Sequence, residues 1–206
     1  MHRTRVPPCA PLPGTGAPAR GLFLARSGVL FERAARDQAR FDQERLSEAL
    51  LPLLFRATQS GWTLYLVGNE EGVARGRISE LQWERFELEC LAFLKAQGIV
   101  VKKCYASLDS PEGKGKHRRD SVFRFPNTGV FYHAAQEDGI ELAESWMISS
   151  DLHELAAGWR AGLRLAAVAF ERPDADSDLR VEPGLSAATP RAALVEILAR
   201  DPLLVR

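Results

Sequence analysis

Gly21-Leu-Phe-Leu-Ala-Arg-Ser-Gly-Val-Leu30 runs from an unbroken apolar stretch straight into the polar Arg26-Ser27-Gly28. A buried strand that empties into a loop has this texture. Downstream, Leu46, Leu50, Leu51, Leu54 and Ala57 recur at helical spacing, which predicts a helix over Gln43 to Ser60 that stops at Gly61. Trp62-Thr-Leu-Tyr-Leu-Val67 predicts a second strand ending in Gly68-Asn69. Ser79 and Gln82 form a capping box ahead of a helix that carries Phe86, Cys90, Leu91 and Leu94 up to Gly98. The short β-branched run Ile99 to Tyr105 predicts a third strand.

Residues 106–120 are polar with two glycines and a proline, a long exposed loop of the kind that carries function. After it come a helix from about Thr128 to Asp138, a strand at Trp146-Met-Ile-Ser149 and a helix over Leu152 to Arg160. A strand over Leu163 to Phe170 and a helix from about Pro190 to Ala199 complete the chain. Strands alternating with helices at this spacing build right-handed βαβ units, so the fold class is α/β, a doubly wound parallel sheet with helices on both faces. Ligands of such sheets sit beyond the carboxyl ends of the strands. The site is therefore expected among Arg26-Ser27-Gly28, Gly68-Asn69-Glu70, the loop after Tyr105, and Ser149-Ser150-Asp151.

Composition narrows the class without naming a partner. The 206 residues are 46% hydrophobic and 26% charged, average for a globular domain. Charge is balanced, 27 Lys+Arg against 27 Asp+Glu, so no global field concentrates nucleic acid or an anionic membrane. No run approaches the roughly 18 apolar residues that cross a bilayer. Cys9, Cys90 and Cys104 make neither a disulfide framework nor a zinc knuckle, which points to a reducing cytoplasm. Residues 1–19, rich in Pro, Gly and Ala, read as a flexible tail, and residues 20–206 as one α/β domain.

Four stretches resemble the motifs of haloacid-dehalogenase-type phosphatases, in the branch that holds histidinol-phosphate and heptose-bisphosphate phosphatases. Leu22 to Leu30 is similar to the branch pattern L-F-L-D-R-D-G-V-L, and Val67-Gly-Asn-Glu-Glu-Gly-Val-Ala-Arg-Gly76 to V-T-N-Q-S-G-x-A-R-G. Arg124-Phe-Pro-Asn-Thr-Gly-Val130 resembles R-K-P-x-P-G-M, and Ile148 to Gly162 resembles V-G-D-x-x-x-D-x-x-A-G-x-x-A-G. The resemblance implies a Rossmann-like core without a large cap. It also implies a nucleophilic aspartate, an acid/base aspartate and a Mg²⁺-binding aspartate at the positions of Ala25, Ser27 and Ser150. A methyl group forms no acyl phosphate, and a serine hydroxyl neither transfers protons usefully near pH 7 nor offers Mg²⁺ the anionic oxygen it needs. The expectation is that none of the catalytic groups is intact, that no metal or other cofactor is bound, and that the zinc loop of some relatives is missing, since Cys104 and His117 stand far apart.

What remains for phosphate is Asn69, Arg124 and Gly68, together with the amides of the loop from Arg26 to Gly28. Arg124 reads more readily as the structural partner of a nearby carboxylate than as an anion ligand. Asp151 is a helix cap or a displaced cation ligand, and Glu154 a remnant of the metal surroundings or a solvated helix residue. Glu70 and Glu71 are replacement acids or simply hydrated. Lys114, Lys116, His117, Arg118 and Arg119 read as a solvated loop, and His133, His153 and Cys90 as fillers. The function expected is a phosphatase-like protein without activity that binds a phosphorylated metabolite or a protein. The alternative is a phosphomonoester hydrolase with a rearranged site acting on a sugar phosphate such as heptose bisphosphate or histidinol phosphate. Neither nucleic acid nor membrane is expected as a partner. Deleting residues 1–19 should shift the calorimetric melting temperature by only a few degrees, because a segment this poor in apolar side chains buries little; a larger drop would show that it docks.

Overall fold

The computed structural model describes residues 19–32, 40–171 and 178–200; most of the tail, residues 1–18, lies outside them. Six strands form one sheet in the order β3-β2-β1-β4-β5-β6, every pair parallel. They are β1 (Arg20–Ala25), β2 (Trp62–Asn69), β3 (Val101–Ser107), β4 (Trp146–Ser149), β5 (Arg164–Val168) and β6 (Leu185–Ala187). The helices are α1 (Leu51–Gln59), α2 (Glu71–Ala74), α3 (Glu80–Ala96), α4 (Gly129–Asp138), α5 (Leu152–Arg160) and α6 (Pro190–Ala199). The chain enters at the middle of the sheet, builds outward through β2 to β3, then crosses back to lay β4 on the other side of β1. The reversal between β1 and β4 opens a crevice at their carboxyl ends.

Burial on both faces explains why β1 has no polar alternation: Leu22, Phe23, Leu24 and Ala25 are each at most 1% exposed. Phe23 stacks on Tyr65 with ring centroids 4.6 Å apart and meets Phe131 of α4 edge-on at 5.0 Å. The start of β1 is pinned by Ser145, whose hydroxyl accepts from the Gly21 amide at 2.8 Å and donates to the Glu141 carbonyl at 2.6 Å.

The predicted helix over Gln43 to Ser60 is shorter than its periodicity. Gln43–Arg45 and Glu48–Leu50 are single 3₁₀ turns, and the α-helix begins only at Leu51 with Pro52 in its first turn. Tertiary pairing overrides the pattern here: Leu46 bridges Phe31, and the Ser47 amide donates to the Leu30 carbonyl at 2.9 Å. β3 starts two residues later than expected, because the Ile99 amide caps α3 by donating to the Leu94 carbonyl at 3.0 Å. β5 is likewise shorter at both ends than Leu163 to Phe170. The capping box of Ser79 and Gln82 and the helices α4, α5 and α6 fall where the sequence places them. Replacing Ser145 with Ala should lower stability by about 1–3 kcal/mol, the cost of stranding a buried amide, measured by urea denaturation with an unchanged m-value.

Candidate functional site

A crevice of about 260 Å³ lies at the carboxyl ends of β1, β2 and β4. Ser27, Gly68, Asn69 and Asp151 line it, so three of the four anticipated segments converge. The loop after Tyr105 lines a separate groove instead. A wider depression of about 630 Å³, between Asp120 and Gly129, contains none of the strand-end residues.

The crevice floor is built around a buried ion pair. Arg26 follows β1 and makes a two-pronged contact with Glu70, Nε to Oε1 at 2.5 Å and Nη2 to Oε2; the two residues are 5% and 6% exposed. The guanidinium lies over the rings of Trp83, at 4.5 Å, and Phe86, at 5.1 Å. Glu70 is therefore neither hydrated nor a free acid. Its inward turn also accounts for Gly68: a Cβ there would stand 3.1 Å from Glu70 Oε1, so a larger residue would crowd the carboxylate.

Asn69 is engaged as well. Its side-chain amide donates to the Phe125 carbonyl at 3.0 Å and accepts from the Phe125 amide at 2.9 Å, a mimic of strand pairing that fixes the segment carrying Arg124. Arg124 Nη2 reaches Glu71 Oε1 at 3.2 Å, while its Nε is buried without a partner. The Ser27 hydroxyl is also buried and unpartnered. The loop amides differ from expectation: those of Arg26 and Gly28 are consumed by the carbonyls of Val67 and Phe31, at 2.9 and 2.7 Å. These two close the turn, where Gly28 takes a positive φ of 83°, and are not available to an anion.

At β4, Asp151 is the cap of α5, its Oδ1 accepting from the amides of His153 at 2.9 Å and Glu154 at 3.3 Å. Ser149 accepts from the Asp151 amide at 2.8 Å and donates to Glu154, which is only 7% exposed and is thus not a solvated residue. Ala25 and Ser150 are buried behind the lining. His153, taken from the sequence as filler, faces the crevice. Periodicity missed it because the apolar pattern of α5 marks only the face packed on the sheet and says nothing of what its exposed first turn lines. Outside the crevice, the basic loop is tied to acids: Asp109 accepts from His117 Nδ1 at 3.1 Å and Arg119 Nε at 2.8 Å, and Lys116 pairs with Glu80. Burial pushes the Cys90 thiol up to about 12.

The Mg²⁺ that the resemblance implies needs convergent anionic oxygens. Among the described residues no three of His, Cys, Asp and Glu converge as metal ligands. Of the four crevice carboxylates, Glu70 is occupied by Arg26, Glu71 by Arg75 and Arg124, Glu154 by Ser149 and Asp151 by two helix amides. The residues present do not fit the ion. Glu70→Ala should cost about 3–5 kcal/mol by stranding the Arg26 charge, whereas the double change of Arg26→Met with Glu70→Leu should be near neutral, both read from denaturation midpoints.

No family model matches the chain. It is 29% identical over 147 residues to a D-glycero-beta-D-manno-heptose-1,7-bisphosphate 7-phosphatase of Haemophilus ducreyi, covering 70% of this chain and 80% of that protein. It is 27% identical over 147 residues to a D-glycero-alpha-D-manno-heptose-1,7-bisphosphate 7-phosphatase of Burkholderia mallei, covering 70% and 76%. Among solved structures, D,D-heptose 1,7-bisphosphate phosphatase of B. bronchiseptica, complexed with magnesium and phosphate, superposes with a TM-score of 0.72 at 21% identity, covering 88% of this chain and 99% of that one. A Mesorhizobium loti structure described as a HAD-like phosphatase gives a TM-score of 0.74 at 24% identity, covering 92% and 88%. The chain has the fold of the haloacid-dehalogenase-like phosphatases and is similar in sequence to heptose-bisphosphate phosphatases.

Proposed function

We propose that the crevice binds the phosphate group of a phosphorylated sugar without the help of a metal. The observation that carries this reading is the pair of buried donors in its lining, the Ser27 hydroxyl and Arg124 Nε, that have no partner. Each unsatisfied buried donor costs about 1–3 kcal/mol, and a phosphate oxygen satisfies it. Arg77 also lines the crevice, so two guanidiniums and a hydroxyl surround a space suited to a tetrahedral anion. Asn69 contributes by holding the Arg124 segment, and Gly68 by leaving room for Glu70. The sugar follows from the relatives, which are named for heptose bisphosphates. A reducing cytoplasm suits the free thiols of Cys90 and Cys104.

A second reading is phosphomonoester hydrolysis through a rearranged site. The relatives favour it over loss of activity, since they are phosphatases by name. The magnesium of the B. bronchiseptica neighbour likewise speaks against the expectation of no cofactor. In this chain Ala25 closes the route through an aspartyl phosphate, so turnover needs another group to receive the phosphoryl.

Calorimetric titration with inorganic phosphate and with heptose bisphosphate, in EDTA and in Mg²⁺, separates these readings when paired with an assay of phosphate release. Binding is expected in EDTA, and Arg124→Ala should weaken it roughly tenfold to a hundredfold, the worth of one charge-assisted contact. Binding that appears only with Mg²⁺ would overturn the metal-free part, and sustained phosphate release would establish the second reading.

A further inference from the structure

We propose that His153 is the phosphoryl acceptor of this crevice, a role that rests on the phosphate-binding reading above. Three observations meet at this side chain. It lines the same crevice as Ser27, Arg77 and Arg124. It is accessible, with its side chain 55% exposed. Its Nδ1 lies 3.6 Å from Asp151 Oδ1, so Nε2 is the ring nitrogen that does not face that carboxylate.

The chemistry follows from what each group in the crevice can do. Neutral imidazole is a nucleophile at physiological pH, whereas the Ala25 methyl is inert and the Ser27 hydroxyl is weak until a base removes its proton. Glu70 and Glu154 hold their carboxylates against Arg26 and Ser149, Glu71 against Arg75 and Arg124, and Asp151 against the first amides of α5. Nε2 attacks phosphorus while the bond from phosphorus to the leaving oxygen breaks, and that oxygen departs with the electron pair and takes a proton from water. The ring keeps its Nδ1 proton, and the positive charge that develops on it faces the Asp151 carboxylate. Arg77 and Arg124 offset the charge on the transferred group's oxygens. Water then attacks phosphorus, releasing inorganic phosphate and returning the neutral imidazole.

The test uses the full chain with acetyl phosphate, whose acetate leaves without an acid catalyst. Intact-mass spectrometry should show one added phosphoryl group, stable in alkali and lost in acid, with the ³¹P resonance of a phosphoimidazole and a peptide map to His153. His153→Asn should abolish the adduct while keeping the wild-type circular dichroism and binding inorganic phosphate within a few-fold. Asp151→Asn, which retains a capping side chain, should slow adduct formation about tenfold or more. A chain that binds inorganic phosphate but forms no adduct, or forms it on another residue or equally in His153→Asn, would overturn the assignment while leaving the binding reading intact. A chain that binds no phosphate and forms no adduct would overturn both.

Discussion

A guanidinium inside a protein has to be neutralised and desolvated at once, and that requirement at Arg26 organises the end of the sheet where the crevice lies. Glu70 supplies the charge, with both fork contacts made, and Trp83 and Phe86 supply the stacking surface. The loop after β1, the loop after β2 and the first two turns of α3 are thereby drawn to one point. The Glu70 amide extends the link by donating to the Ser107 carbonyl at 2.8 Å, at the end of β3. A buried pair of this kind adds little net stability over an apolar substitute, and its value lies in fixing one arrangement. Here the arrangement sets which polar groups remain available to a ligand.

Those groups differ from the ones the relatives' motifs suggest. A site that holds phosphate against a metal needs carboxylates free to coordinate; this one spends its carboxylates on Arg26, on Ser149 and on the first amides of α5. Three arginines, Arg26, Arg77 and Arg124, line the crevice against four carboxylates, Glu70, Glu71, Asp151 and Glu154, so every carboxylate there is engaged but its charge is only partly offset. The lining donors without a partner are Arg124 Nε and the Ser27 hydroxyl, beside the exposed His153 ring.

Much of the fold was legible from residues 21–30, because a strand buried on both faces leaves an unbroken apolar run, and because Ser79 and Gln82 announce α3 through local hydrogen bonds. The helix over Gln43 to Ser60 was overextended since its leucines serve long-range contacts, Leu46 with Phe31 above all, which periodicity cannot distinguish from a helical face. β6, three residues with only Leu185 buried, has no pattern to read. At the site, motif position located Ser27, Gly68, Asn69 and Arg124 correctly in space. Chain order could not say that Asn69 turns its amide to the Phe125 backbone, that Glu70 folds inward onto Arg26, or that His153 faces the crevice, since each depends on a partner 44 or more residues away or on the direction of a cap.

The strand order carries a consequence for synthesis. β1 is synthesised well before β4, one of its neighbours, and the Gly21 amide finds Ser145 across 124 residues. Until that distant segment has been made, β1 exposes one whole edge, apolar on both faces, beside β2. Non-local pairing of this sort is slow and leaves an adhesive intermediate. The growing chain therefore passes through a stage, before β4 is made, when the future centre of its sheet is the part most in need of a chaperone.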